Sequence, residues 1–320
     1  MYKNKLCLMI ALTLIFSQLF VSSAFALNYS GSQGNEATFE TLEETRESSP
    51  AAVANLETNV GKEFKSHPVL DGYPEGTTYV YRSANLYGGR ASARQNTNLV
   101  VFAEQAFESK DTAFAYLEEL GLIAIADEAI GSVVLVTPAD KTAFGAADQK
   151  NYYKLQTAMF AQKASEKVGD VTISYSDAEY FGGYSFYYVI GIDGGATFIN
   201  NYISSVLDYV SRIGGMLLVN GKMDRIRNVA ACVPVYLVNA SATIIDKYEA
   251  VNKTDALFVE GEKKSTYNQT FPERMVVIRE VAKVDLPAIV NDAYYNLFIH
   301  AQRSQALKQG LNSASTPYQG

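Results

Sequence analysis

The 320-residue chain has no tryptophan and only two cysteines, two histidines and eight prolines. Each scarcity removes a class of protein. Cys7 lies in an N-terminal apolar stretch, so once that stretch is cleaved Cys232 is the one cysteine left, and a disulfide-stapled scaffold is excluded. Two histidines beside a single thiol cannot build a zinc-type cluster, so no metal site is expected. Gly191-x-x-Gly194-Gly195 departs from the G-x-G-x-x-G spacing and no P-loop occurs, so no nucleotide cofactor is expected. Beyond the first 26 residues no apolar run is long enough to cross a bilayer.

What is present points to export and to a packed core. Lys3 and Lys5, the apolar run Leu6–Val21 and the small-residue motif Ala24-Phe25-Ala26 form a secretory signal peptide over 1–26, so the protein is expected to be secreted. Its removal takes away two lysines and moves the formal charge from −7 to −9. A mildly acidic protein has no electrostatic reason to bind nucleic acid or anionic lipid, and no membrane contact is expected beyond the leader. With 48% hydrophobic and 19% charged residues the remainder can bury a sizeable core. Cys232, inside the apolar run Val229–Val238, reads as a buried small hydrophobe.

Residues 27–76 are polar and weakly periodic and read as a loosely ordered N-terminal segment; 77–303 form the domain, and 304–320 a polar tail or linker. Within the domain, Thr77–Arg82 is extended and is expected to fold back as a hairpin across Tyr87-Gly88-Gly89-Arg90. Strands are expected at Asn98–Ala103, Gly131–Val136, Phe186–Ile190, Met216–Asn220, Val233–Val238 and Arg274–Val281. Helices alternate with them: one capped by Asp111 and stopped by Gly121, one over Ala147–Lys163 and one opened by Asp285-Leu286-Pro287. Glu260–Asn268 reads as a charged gap. Short strands alternating with helices define an α/β fold with a mainly parallel central sheet. The tyrosine pairs Tyr152-Tyr153, Tyr187-Tyr188 and Tyr294-Tyr295 fall in core elements.

The chain is organised around the stretch from Tyr184 to Tyr209. A buried strand runs into Gly191-Ile192-Asp193-Gly194-Gly195, and beyond it Phe198, Ile199, Tyr202, Ile203, Val206 and Leu207 fall at helical spacing. Strand, glycine turn and helix make the build of a nucleophile elbow, and Asp193 stands at its tip. Ligands of parallel sheets bind beyond the carboxyl ends of the strands, where this turn lies.

Tyr188-Val-Ile-Gly-Ile-Asp-Gly-Gly-Ala-Thr197 and the order of elements over roughly 77–300 resemble the α/β-hydrolase family, within it the secreted esterases related to polyhydroxybutyrate depolymerases. The resemblance implies a three-layer α/β-hydrolase-like sandwich and a Ser–His–acid triad. Serine is missing at the tip. In dehalogenase-like and epoxide-hydrolase-like members an aspartate attacks there, and a histidine then activates the water that cleaves the ester. Of the two histidines left after cleavage, His67 precedes the first strand of the domain, so His300 is the candidate base and Asp246 the candidate acid. The resemblance also implies a glycine-lined oxyanion turn, but Ala103-Glu104-Gln105-Ala106-Phe107 has no glycine.

Three absences, of Ser or Cys at the tip, of a histidine on a loop beyond the last strand (His300 falls inside an expected helix) and of a glycine-lined oxyanion turn, together favour a secreted, non-catalytic binding or scaffolding module. Its ligand would be a small-molecule or polymeric ester held in the cleft of Gly191, Gly194 and Gly195 above Asp193. The alternatives are an active esterase using Asp193, Asp246 and His300, or the first half of a two-part hydrolase. In the latter, Asn291–Arg303 resembles a connector helix leading to a catalytic partner.

Overall fold

Runs such as Ser132-Val-Val-Leu-Val136 and Tyr187-Tyr-Val-Ile-Gly-Ile192 have side chains suited to a pleated surface on both faces, so they are stable only with helices covering each side. The computed structural model describes residues 37–44, 70, 72–84, 97–129, 131–160, 164–168, 171–175, 186–225 and 227–301. The leader, His67, the 87–90 turn and the 304–320 tail lie outside the described residues.

The strands are β1 (Thr38–Thr41), β2 (Thr78–Arg82), β3 (Thr97–Phe102), β4 (Gly131–Val136), β5 (Ala164–Val168), β6 (Val171–Tyr175), β7 (Tyr187–Ile192), β8 (Ile213–Val219), β9 (Val235–Val238), β10 (Ala256–Glu260), β11 (Lys263–Tyr267) and β12 (Met275–Arg279). Ten of them form one sheet in the order β1-β2-β4-β3-β7-β8-β9-β12-β11-β10, while β5 and β6 pair with each other. The six central strands from β4 to β12 are parallel. Antiparallel pairs complete both ends. The fold is therefore α/β with a mostly parallel sheet, as expected.

The helices are α1 (Lys110–Glu119), α2 (Leu122–Glu128), α3 (Ala146–Phe160), α4 (Gly194–Phe198), α5 (Leu207–Val210), α6 (Ala242–Asn252) and α7 (Leu286–Asn296). Alternate residues of each central strand feed two separate cores. Val189, Met216 and Leu218 meet Tyr152, Leu155 and Met159 of α3 and Ile244 and Tyr248 of α6 on one face. Ile190, Leu217 and Val219 meet Leu117 of α1, Ile125 of α2 and Ile289, Val290 and Ala293 of α7 on the other. Cys232 is buried, and its thiol donates to the Val251 carbonyl at 3.0 Å.

Several local expectations are corrected. β2 has β1 on one side and β4 on the other, so β3, the next described strand after the expected turn, does not pair with it as a hairpin. β1 itself falls inside 27–76, because a sheet edge supplies backbone partners that a polar sequence does not advertise. Ser109, not Asp111, caps α1: its hydroxyl accepts from Thr112 N at 3.2 Å while Asp111 sits in the first turn, where its charge suits the helix dipole. Glu260–Asn268 is no gap but mostly the strand β11, paired with β10 across the turn at Gly261-Glu262. Tyr153 and Tyr295 are exposed, unlike Tyr152, Tyr187, Tyr188 and Tyr294.

The helix after Asp193 is not continuous. α4 widens into a π-helix at Ile199–Ile203, marked by a Ser204 N–H to Ile199 carbonyl bond of 2.8 Å. That turn places Asn200 and Asn201 inside, where Tyr248 Oη donates to Asn200 Oδ1 at 3.1 Å and Arg225 N–H to Asn201 Oδ1 at 3.1 Å. Val206 is extended, and Leu207 starts the separate α5 with its side chain 40% exposed.

The β10–β11 hairpin is fastened to the body by Asp292 of α7, which accepts from Lys263 Nζ at 3.0 Å and Tyr236 Oη at 2.5 Å. Burial opposes charge on Asp292, but the bonds from Tyr236, Lys263 and Asn296 and the lysine's charge hold its carboxyl below the ordinary value. A depressed carboxyl contributes stability that is present above the unfolded value, about 3.9, and is lost as pH falls through the folded one. Asp292→Asn should therefore lower stability at neutral pH by about 1 kcal/mol after allowance for its partial exposure. In urea melts across pH, the gap from wild type should close below about pH 4.

Candidate functional site

Parallel neighbours in register bring the residues after β3, β7, β8, β9 and β12 to one rim of the sheet. In sheet order these are Glu104, Asp193, Asn220, Asn239 and Val281. The ladder continues one step beyond the strands: Asp193 N–H donates to Val219 O, Asn220 N–H to Val238 O and Asn239 N–H to Arg279 O, at 2.9, 3.0 and 2.9 Å. All three residues turn out of the sheet with positive φ, 50° for Asp193, 54° for Asn220 and 53° for Asn239. Asparagine and aspartate tolerate that region better than other residues with a Cβ.

Asp193 combines φ 50° with ψ −111°, outside the left-handed helical well and strained for any L side chain. The turn is enforced by close approach. A Cβ on Gly195 would stand 2.0 Å from the Phe102 carbonyl oxygen, and one on Gly191 would stand 2.7 Å from Ala196 Cα. Gly194 differs, because the space its Cβ would take is filled by the end of a side chain, the carboxyl carbon and Oε1 of Glu104 at 2.6 Å. The Gly194 N–H donates to Glu104 Oε2 at 3.2 Å.

On its other side Asp193 ends a one-way row of hydrogen bonds. Val281 N–H donates to Asn239 Oδ1 at 2.9 Å, Asn239 Nδ2 to Asn220 Oδ1 at 3.0 Å and Asn220 Nδ2 to Asp193 Oδ1 at 2.9 Å. The direction is fixed at both ends, since an N–H can only donate and a carboxylate can only accept. The amides between them do not titrate, so they orient the carboxylate but neither supply nor take a proton. Tyr116 of α1, packed on Phe107 at 5.2 Å, borders the same rim. Burial, reinforced by the charges of Asp193 and Glu119, pushes its phenol well above the ordinary value, so it stays neutral.

The other residues singled out from sequence are not brought here. Asp246 is exposed on α6, between Ile244 and Tyr248, which face the core, rather than on a loop after β9. His300 is exposed on a 3₁₀ turn (Phe298–His300) whose Phe298 stacks on Tyr188 at 4.7 Å. Tyr188 is near the amino end of β7 and Asp193 follows its carboxyl end, about 16 Å away at a strand's rise per residue. Sequence reading missed Asn220 and Asn239: neither stands in a glycine elbow like that of Asp193, and the one available signal was an asparagine at the end of an apolar run. A cleft of about 410 Å³ elsewhere, lined by Tyr236, Phe258, Lys263, Tyr267 and Met275, has its lysine already paired with Asp292 and Glu260.

Among the described residues no group of three or more His, Cys, Asp or Glu side chains is placed to hold a metal ion, and no helix is long and apolar enough to cross a membrane. Compared with known families and curated proteins, the chain matches no family model and no curated protein.

The two glycines after the tip should respond differently to a methyl group. Gly195→Ala drives a Cβ into backbone and should cost about 3 kcal/mol, whereas Gly194→Ala meets only a movable carboxylate and should cost about 1 kcal/mol or less. Thermal melts of the two variants test this; equal losses would mean the Glu104 carboxylate is as fixed as the backbone.

Proposed function

We propose that this chain is a secreted, α/β-hydrolase-like protein that binds or scaffolds rather than hydrolyses, with its ligand over the Asp193 turn. Support for the hydrolase likeness comes from the strained tip between a buried strand and a helix, at the carboxyl end of a parallel sheet. The basic, apolar and small-residue leader over residues 1–26 supports export.

One observation carries the non-catalytic reading: both groups of the turn that would do chemistry are engaged within the chain. In the hydrolases that the turn resembles, the N–H after the nucleophile helps to hold the oxyanion. Here that N–H belongs to Gly194 and carries the Glu104 carboxylate. An anion placed there would have to displace Glu104 and would also face Asp193. The Asp193 carboxylate is held by Asn220, with Asn239 behind it. An alkyl-enzyme ester formed on Asp193 would need a base to activate water, and two amides cannot act as one. What the rim offers instead is a fixed carboxylate, amide edges and the neutral rings of Tyr116 and Phe107, a surface suited to holding an ester-bearing ligand by hydrogen bonds and apolar contact.

Purified protein should show no turnover of short acyl esters above buffer, and Asp193→Ser should gain none. Turnover by the wild type that disappears in Asp193→Asn would overturn the reading. Titration with a short acyl ester or an oligomeric hydroxyacid ester, followed by NMR, should shift the side-chain amides of Asn220 and Asn239. Titration without any saturable shift would remove the binding role.

A further inference from the structure

The two edges of the ten-stranded sheet are treated differently. β1, Thr-Phe-Glu-Thr, is four residues long and half-buried, and its Phe39 ring is stacked on Tyr79 at 5.8 Å and packed edge-on to Phe114 at 5.3 Å. The chain then folds over: Thr41 N–H donates to Glu44 Oε2 at 2.8 Å, and Glu44 is paired with Lys110 at 2.9 Å. Short length, an internal charge and covered aromatics are the usual means of keeping an edge from pairing.

β10 is one residue longer, carries its single charge, Glu260, at its very end, and leaves its aromatic ring uncovered. Within Ala-Leu-Phe-Val-Glu there is no lysine or proline, and Leu257, Phe258 and Val259 are 60%, 57% and 55% exposed. Successive strand residues point to opposite faces, so apolar side chains are bare on both sides of the same strand. Among the described residues no strand lies along its outer edge. The exposure is not that of a loose arm, because the hairpin is fastened through β11. Thr266 Oγ1 donates to Glu249 of α6 at 2.8 Å, and Lys263 pairs with Asp292 of α7 at 3.0 Å. β10 is thus held as an open, ordered, apolar edge.

We infer that β10 pairs antiparallel with β10 of a second copy of this chain, joining two sheets across a two-fold axis. The strand is complementary to itself. With Phe258 at the axis, Leu257 lies opposite Val259 of the second copy, apolar against apolar, and Asp255 lies opposite Gly261 rather than another charge. The flanks carry different signs. Exposed Lys253 precedes the strand and exposed Glu260 and Glu262 end it, so antiparallel pairing brings the lysine of each copy to the acidic end of the other. Parallel pairing would set Lys253 against Lys253. Pairing in this sense is isologous and closes at two copies.

Light scattering or sedimentation of the purified protein should give twice the chain mass at high concentration and a fall toward the single mass on dilution. Phe258→Lys should halve the mass while leaving the circular dichroism and melting temperature unchanged, since its side chain is exposed in the monomer. Lys253→Glu should weaken the dimer, and adding Glu262→Lys should restore it. In a Cys7→Ser background, oxidised Phe258→Cys should give a disulfide dimer and Leu207→Cys, exposed elsewhere, should not; buried Cys232 does not compete. A single mass at every concentration, a dimer indifferent to Phe258→Lys, or no cross-link from Phe258→Cys would each overturn the proposal.

Discussion

The approach of α4 to the end of β3 governs the rest of this structure. Gly195 lies so close to the Phe102 carbonyl that no side chain fits between them. That contact forces the chain to leave β7 through one sharp residue, and Asp193 takes the strained conformation that results. It also brings the following N–H, from Gly194, beside the loop that leaves β3, where Glu104 receives it. The site is therefore a consequence of packing between a strand and a short helix. Its strain is maintained by the large cores on both faces of the sheet, which are far more costly to disturb than one dihedral angle.

The row from Val281 through Asn239 and Asn220 to Asp193 shows how a parallel sheet organises chemistry at its rim. Each strand end contributes one residue, and parallel register sets neighbours at hydrogen-bonding distance. A row of this kind can hold a reactive carboxylate in one pose or move protons along itself, depending on whether its members titrate. Amides confer the first property and withhold the second. Asp193 is well oriented for that reason, and for the same reason the described residues of the row offer it no partner in proton transfer.

The edges of the sheet follow a different logic from its centre. The parallel strands are buried on both faces and need no polar residues; the antiparallel ends face water and must be finished in some way. At β1 the chain finishes the edge itself, with Glu44 and Lys110 across it. At β10 three large apolar side chains are exposed, and among the described residues its outer ladder is open.

Much of the fold was legible in the sequence. Continuous apolar runs identified β3, β4, β7, β8 and β9, because strands buried on both faces need such runs wherever they sit. Asp285-Leu-Pro set the start of α7, because capping is local chemistry. The tip at Asp193 was legible too, since only glycine permits the close approach around it. The remainder depended on tertiary structure. Whether Thr38–Thr41 became a strand was decided by the free edge of β2, and whether Lys263–Tyr267 did was decided by β12 and α7 beside it. Asn220 and Asn239 lie 27 and 46 residues from Asp193 along the chain, and only the parallel register made them its neighbours. His300 and Asp246 had suitable chemistry in a suitable order, yet one lies at the other end of the strands and the other on the outer face of a helix. Sequence by itself determined which segments would be buried and where the backbone must turn, because those follow from side-chain size and polarity. Which side chains meet at the turn was decided by strand order and register, which are properties of the whole sheet.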